Sequence, residues 1–94
     1  MKLSKTEYQL SVITTVKNLR VAHNESQMQI ANILGVSNGQ VGNIESVKYP
    51  HKYTLKQLYI ISQHFNTPIH RLFVSDNDEV SCDDIVKMII EYDK

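Results

Sequence analysis

The sequence has few of the features that mark a secreted or membrane-spanning protein. Its 94 residues contain one cysteine, Cys82, which excludes an intrachain disulfide and is typical of proteins in a reducing cytosol. No apolar run approaches the roughly 18 residues that span a bilayer. The first residues lack the apolar core of a signal peptide. We therefore expect one small cytoplasmic domain that has no membrane partner.

The sequence also lacks the motifs of an enzyme. Its histidines show no metal-ligand spacing with Cys82, and no serine or cysteine stands in a recognisable nucleophile motif. No glycine-rich phosphate loop occurs. Asp83 and Asp84 are paired carboxylates, but they open a predicted helix, where acidic residues are electrostatically favoured. We expect no enzyme activity, no metal and no cofactor.

The chain has no net charge, but its charges are unevenly distributed. Residues 1–56 hold seven Lys or Arg and three Asp or Glu, whereas residues 57–94 hold three and seven. This asymmetry indicates a basic face for a polyanion and an acidic end held away from it. Chance clustering in a short chain is the alternative.

Apolar residues recur at helical spacing, and no alternation typical of a strand is found, so the chain is predicted to be all-α. Capping patterns such as Ser4 with Glu7 and Ser26 with Gln29 indicate helix starts. The predicted helices cover about residues 5–22, 27–34, 38–47, 55–65, a short stretch opened by Pro68, and residues 81–92. An acidic linker at 75–79 separates a domain of residues 1–74 from the C-terminal segment 75–94.

Residues 26–45 are the most informative stretch. They read as two short helices around a tight turn, in which Gly35 ends the first helix and Ser37 caps the second. Val41 and Ile44 are spaced to anchor one face of the second helix. This pattern predicts a helix-turn-helix, whose usual use is to place its second helix in the DNA major groove.

The outward positions of that second helix are short amides and glycines. Asparagine and glutamine side chains bond adenine in the major groove, which predicts base reading by Asn38, Gln40 and Asn43. Gly39 is predicted to belong to the same base-reading face, where it allows close approach. Glycines at 39 and 42 each cost roughly 1 kcal/mol relative to alanine, so we interpret them as allowing close approach to another surface. Tolerance by tertiary packing is the alternative.

Basic and aromatic residues follow this helix in a loop. Their side chains, with polar groups at the two helix starts, are of the types that contact phosphate, although a solvated loop has a similar composition. The predicted phosphate contacts are Gln27, Ser37, Lys48, Tyr49, Lys52 and Tyr53.

The C-terminal helix carries a broad apolar stripe. It consists of Ile85, Met88, Ile89 and Tyr92. Such a stripe either packs on its own domain or meets a partner subunit, and we expect it to form a homodimer.

These residues resemble the helix-turn-helix family of phage Cro and repressor proteins and the related bacterial xenobiotic-response-element-type regulators. The resemblance covers roughly residues 16–73. It is carried by Gln27, Ala31, Gly35, Val41, Ile44, Glu45, Pro50, Leu58, the corner Asn66, Thr67 and Pro68, and the ending Leu72 and Phe73. Two departures are a missing glycine after Glu45 and the absence of Arg and Lys from the second helix of the motif.

The resemblance implies a five-helix lambda-repressor-like DNA-binding domain with an extra C-terminal helix. It implies an ion pair between Arg20 and Glu45 that fixes the reading helix. The implied function is a sequence-specific transcriptional regulator that binds double-stranded DNA, as a dimeric repressor or autoregulator on a palindromic operator. The alternatives are an antitoxin-like or coactivator-like interaction module that does not read DNA, and an accessory domain of an enzyme.

Overall fold

The computed structural model describes residues 5–74 and 81–94, which form helices and no strand. The all-α prediction is therefore confirmed for this part of the chain. The helices are α1 (Glu7–Ala22), α2 (Gln27–Leu34), α3 (Asn38–Glu45), α4 (Leu55–His64), a 3₁₀ helix (Ile69–Leu72) and α5 (Cys82–Tyr92). The acidic linker predicted at 75–79 lies outside the described residues. None of the described helices is both long and apolar enough to cross a membrane.

The α-helices begin at hydroxyl N-caps. Ser26, Ser37, Thr54 and Ser81 each accept a hydrogen bond from the backbone N–H three residues later, which confirms the caps predicted at Ser26 and Ser37. The helix predicted over about residues 5–22 is present as α1, but its predicted N-cap was wrong, because Thr6 caps it and forms a reciprocal capping box with Gln9. Ser4, the predicted cap, lies outside the described residues.

The helix ends show where the backbone leaves helical geometry. Gly35 follows α2 with φ 72°, the left-handed conformation expected of a glycine cap. α3 stops at Glu45, two residues before the predicted end at 47, because Ser46 is extended (ψ 138°). The segment opened by Pro68 is a single 3₁₀ turn rather than an α-helix, and Pro68 immediately precedes it.

One hydrophobic core joins all these elements. α3 contributes Val41 and Ile44, α2 contributes Ile30 and Ala31, and the two helices pack against each other. The core residues are Val12, Ile13, Val16, Ile30, Ala31, Val41, Ile44, Tyr53, Leu58, Ile61, Phe65, Leu72, Phe73, Val74 and Tyr92.

The C-terminal helix packs on its own domain. Tyr92, predicted to lie in a dimer interface, is fully buried in the core, so that prediction was wrong. Met88 and Ile89 are partly buried against the same core, and Ile85 is half-buried. The apolar stripe therefore faces α1 and the core, because burying Tyr92 turns it inward. Val86 and Ile90 lie outside that stripe and are 53% and 56% exposed.

Candidate functional site

The outer surface of α3 presents short polar groups. Asn38 and Gly39 are exposed, and Gln40 and Asn43 are half-buried, whereas Val41 and Ile44 point into the core. Ser37 fixes the start of the helix by accepting a hydrogen bond from the Gln40 N–H at 3.1 Å. All four predicted base-reading residues thus lie on one short helix with no charge among them.

The two glycines of α3 have different surroundings. A Cβ placed on Gly42 meets the Gln27 Oε1 atom at 3.5 Å, so this glycine faces α2. A Cβ placed on Gly39 meets no atom of the described residues within 4 Å. Only Gly39 leaves room on the outer surface for a close approach, and our interpretation of Gly42 as an outward position was wrong.

The predicted ion pair between Arg20 and Glu45 is present at the C-terminal end of α3. The Arg20 Nε and Nη2 atoms donate to Glu45 Oε2 and Oε1, each at 2.9 Å. The side chains are only 12% and 5% exposed, and the hydrogen bond with Glu45 raises the pKa of Arg20. Removing one partner from a buried ion pair costs about 3–5 kcal/mol, so this contact fixes the end of α3 strongly.

Gln27 supports the same ion pair. Its Nε2 atom donates to Glu45 Oε1 at 3.0 Å, and Arg20 also donates to the Glu25 carbonyl at 2.9 Å. One amide N–H of Gln27, predicted to contact phosphate, is therefore already used within the protein. An open concavity of about 510 Å³ lies beside this network, and Arg20, Ser26, Gln27, Met28 and Asn38 line it.

Lys5 has a role that no sequence pattern predicted. Its ammonium group donates hydrogen bonds to the carbonyl oxygens of Ile44 and Ser46, the latter at 2.6 Å, at the end of α3. Lys5 is 3% exposed, and this burial lowers its pKa. The missing glycine after Glu45 was the available signal, because a helix without a left-handed cap needs another donor for its last carbonyls.

The loop after α3 contains both surface and core residues. Lys48 and Tyr49 are exposed, as a phosphate contact requires. Tyr53 is fully buried, so its predicted contact with phosphate was wrong: its ring fills the core. Its hydroxyl meets no hydrogen-bond partner among residues 5–74 and 81–94, and burial strongly raises its pKa.

Lys52 links this loop to the C-terminal helix. Its Nζ atom donates to the Tyr92 carbonyl at 2.9 Å and lies 5.3 Å from the centre of the Tyr92 ring. The Tyr92 carbonyl also accepts from Gln9 Nε2 at 2.8 Å, and the Tyr92 hydroxyl donates to the Tyr53 carbonyl at 2.7 Å. Lys52 is half-buried and caps α5, so its ammonium is not simply displayed to solvent.

Among the described residues, no three His, Cys, Asp or Glu side chains come together in a group that could hold a metal ion. Comparisons with family models, curated proteins and solved structures find no match to this chain. The features that point to a function are therefore the outer face of α3, the contacts that hold its two ends, and the charged residues around it.

Proposed function

We propose that the chain is a cytoplasmic transcriptional regulator of the lambda-repressor-like class that binds double-stranded DNA through a helix-turn-helix formed by α2 and α3. The observation that carries this proposal is the outer face of α3. Short amides and one unobstructed glycine stand on a helix whose inner face and final residue are firmly held. A helix of this kind enters a groove without distortion and presents hydrogen-bonding groups to base edges.

The chemistry of this face favours particular bases. An asparagine or glutamine amide bonds adenine N6 and N7 together, so Asn38, Gln40 and Asn43 are suited to A·T base pairs. α3 has no Arg or Lys for guanine, and its only charged side chain, Glu45, is paired with Arg20. Affinity must then come from phosphate contacts nearby.

The phosphate contacts that fit the structure lie at both ends of α3. Ser37 is exposed at its start, and Lys48 and Tyr49 are exposed in the loop that follows. Gln27 and Lys52 remain candidates, through N–H groups that donate to no atom of residues 5–74 and 81–94. Binding carried by such contacts weakens as salt increases.

A homodimer is the natural form of this regulator. One helix-turn-helix makes few base contacts, so two copies on a palindromic operator, with centres roughly 34–36 Å apart, give adequate affinity and specificity. We propose that the dimer acts as a repressor or autoregulator. Because the stripe of α5 faces its own core, the remaining exposed residues Val86 and Ile90 are the better candidates for contact with the second copy.

The test is a double variant, Asn38→Ala with Gln40→Ala. We expect it to lose sequence preference while keeping weak, salt-sensitive binding and the stability of the wild type, because both side chains lie on the outer side of α3. The matched control is Asn18→Ala with Gln63→Ala, which removes exposed amides from α1 and α4. Electrophoretic mobility shift titrations on the preferred and scrambled sequences measure both effects.

Two results would contradict the proposal. A double variant that still prefers the same sequence would exclude α3 as the reading element. A wild-type protein that prefers no sequence would favour the alternative, an interaction module that keeps this arrangement of helices without reading DNA.

A further inference from the structure

α3 bonds only part of its own C-terminal end: the Ser46 N–H donates to the carbonyl oxygens of Gly42 and Asn43, at 3.1 and 3.3 Å. It has eight residues, two of them glycine, and glycine weakens a helix because it exposes the backbone and leaves it free to move. Ser46 is extended, so no left-handed cap follows to bond the carbonyl groups after Asn43. Unpaired carbonyls at a buried helix end are costly and need donors from elsewhere in the chain.

Lys5 supplies those donors. Its ammonium group contacts the carbonyl oxygens of Asn43 at 3.4 Å, Ile44, and Ser46 at 2.6 Å. An ammonium group has three N–H donors, which matches the three carbonyls. Its positive charge is also favourable at the negative end of the helix dipole.

The backbone of Lys5 is itself fixed. It immediately precedes Thr6, whose reciprocal capping box with Gln9 sets the start of α1. The other end of α1 carries Arg20, which holds the Glu45 carboxylate. Lys5, just before α1, and Arg20, near the end of α1, therefore fix the end of α3 at two points, its backbone carbonyls and its last side chain.

We propose that Lys5 is a positioning residue that determines how well α3 discriminates between DNA sequences. This inference rests on the proposed function. Asn43 is a predicted base contact, and its carbonyl accepts from both the Ser46 N–H and Lys5, which also bonds the next carbonyl at Ile44. The lysine therefore contributes to the height and direction of the Asn43 side chain. Asn38 and Gln40 lie at the other end of α3, where the Ser37 cap holds the backbone independently.

The variants Lys5→Met and Lys5→Gln test this role. Both remove the charge, and glutamine keeps some hydrogen-bonding capacity if the methionine variant does not fold. Ile61→Val is the matched control, because it weakens the buried core in α4 without removing a contact to α3 carbonyls. Protein samples are compared well below their unfolding temperatures, so that only folded molecules are measured.

The first readout is amide hydrogen exchange, which needs no DNA. We expect the last-turn amides of α3 to exchange about tenfold faster in both Lys5 variants, with α4 amides unchanged. The second readout is affinity for single base-pair variants of the preferred DNA sequence. We expect discrimination to fall about tenfold at the base pair that faces Asn43, and less at those that face Asn38 and Gln40.

The outcomes separate the two proposals. Lys5 variants that discriminate like the wild type overturn this inference and leave the proposed function intact. A uniform loss across all base pairs, shared by Ile61→Val, also overturns it, since the effect would then follow stability. Failure of both Lys5 variants to fold makes the lysine a determinant of overall stability and overturns it as well. A wild type with no sequence preference overturns the proposed function and this inference together.

Discussion

At the scale of single residues, the two buried tyrosines show how similar side chains take different roles. Tyr92 and Tyr53 are both fully buried, and both were predicted to face outward, toward a partner subunit and toward DNA. The Tyr92 hydroxyl donates to the Tyr53 carbonyl, whereas the Tyr53 hydroxyl has no hydrogen-bond partner among the described residues. The two hydroxyl groups should therefore differ in what they contribute to stability.

Replacement by phenylalanine separates these contributions. Tyr92→Phe should lower the free energy of unfolding by about 1 kcal/mol or more, because it leaves the buried Tyr53 carbonyl without this donor. Tyr53→Phe should leave the free energy of unfolding unchanged or slightly higher, because the lost hydroxyl is unsatisfied. Urea unfolding at pH 7 measures both values. Equal losses in the two variants would show that the Tyr53 hydroxyl has a partner in solution.

The two buried tyrosines should also make the free energy of unfolding depend on pH in alkaline solution. Burial raises the pKa of Tyr53 and Tyr92 well above the ordinary value of 10.0. The folded state keeps these protons more tightly, so the stability they contribute is complete below pH 10 and is lost as the pH rises through the folded pKa. Between pH 10 and its folded pKa, each tyrosine should lower the free energy of unfolding by about 1.4 kcal/mol per pH unit. If the free energy of unfolding of Tyr53→Phe fell with pH as steeply as that of the wild type, the burial of Tyr53 would be contradicted.

At the scale of helices, the position of α3 depends on contacts at its two ends. Its ends are fixed by the Ser37 cap, the Arg20–Glu45 pair and the Lys5 ammonium group, so its own low helix propensity is not decisive. The glycines can then be judged by what surrounds each of them. Gly42 lies against Gln27, whereas a Cβ on Gly39 would contact no atom in the part of the chain that the structure describes.

Alanine at these two positions should give opposite functional results. Gly42→Ala and Gly39→Ala should each raise the free energy of unfolding by about 0.5–1 kcal/mol, because alanine favours the helix. Only Gly39→Ala should weaken DNA binding, since its methyl group projects from the outer face of α3. Thermal unfolding and DNA titration of both variants test this. Equal DNA affinity in the two variants would exclude close approach at Gly39.

The sequence predicts where helices begin and end better than it predicts which distant residues contact each other. The caps at Ser26, Ser37 and Thr54 lie three residues from the groups they bond, so local patterns find them. The Lys5 contact to Ile44 spans 39 residues and the Gln9 contact to Tyr92 spans 83, and no local pattern encodes either. The Arg20–Glu45 pair was predictable only because the resemblance to a known family suggested it.

At the scale of the whole molecule, α5 completes the core of the domain. Tyr92 contacts the Phe73 ring, with centroids 5.8 Å apart, and joins α1 to the loop after α3. A variant without residues 81–94 would expose this core. A change in its mass would therefore not distinguish loss of a dimer contact from loss of the fold. The outer face of α5 gives a cleaner test, because Val86 and Ile90 are exposed and do not support the core.

Charge on that outer face should separate the proposed dimer. We expect Val86→Lys with Ile90→Lys to convert the dimer to a monomer with unchanged stability, because two ammonium groups would meet their copies in an apolar contact. Val21→Lys with Tyr59→Lys is the matched control, since these residues are similarly exposed on α1 and α4. Sedimentation velocity measures the mass. A monomeric wild type would contradict the dimer, and a dimeric double variant would exclude this face.

The central claim is that α3 reads DNA sequence, and selection of bound sequences from a random DNA pool tests it most directly. The wild type should enrich two inverted half-sites whose centres lie about one helical turn, roughly 34–36 Å, apart. The Asn38→Ala, Gln40→Ala variant should enrich no common sequence. A pool that shows no enrichment with the wild type, or the same enrichment with both proteins, would contradict the claim.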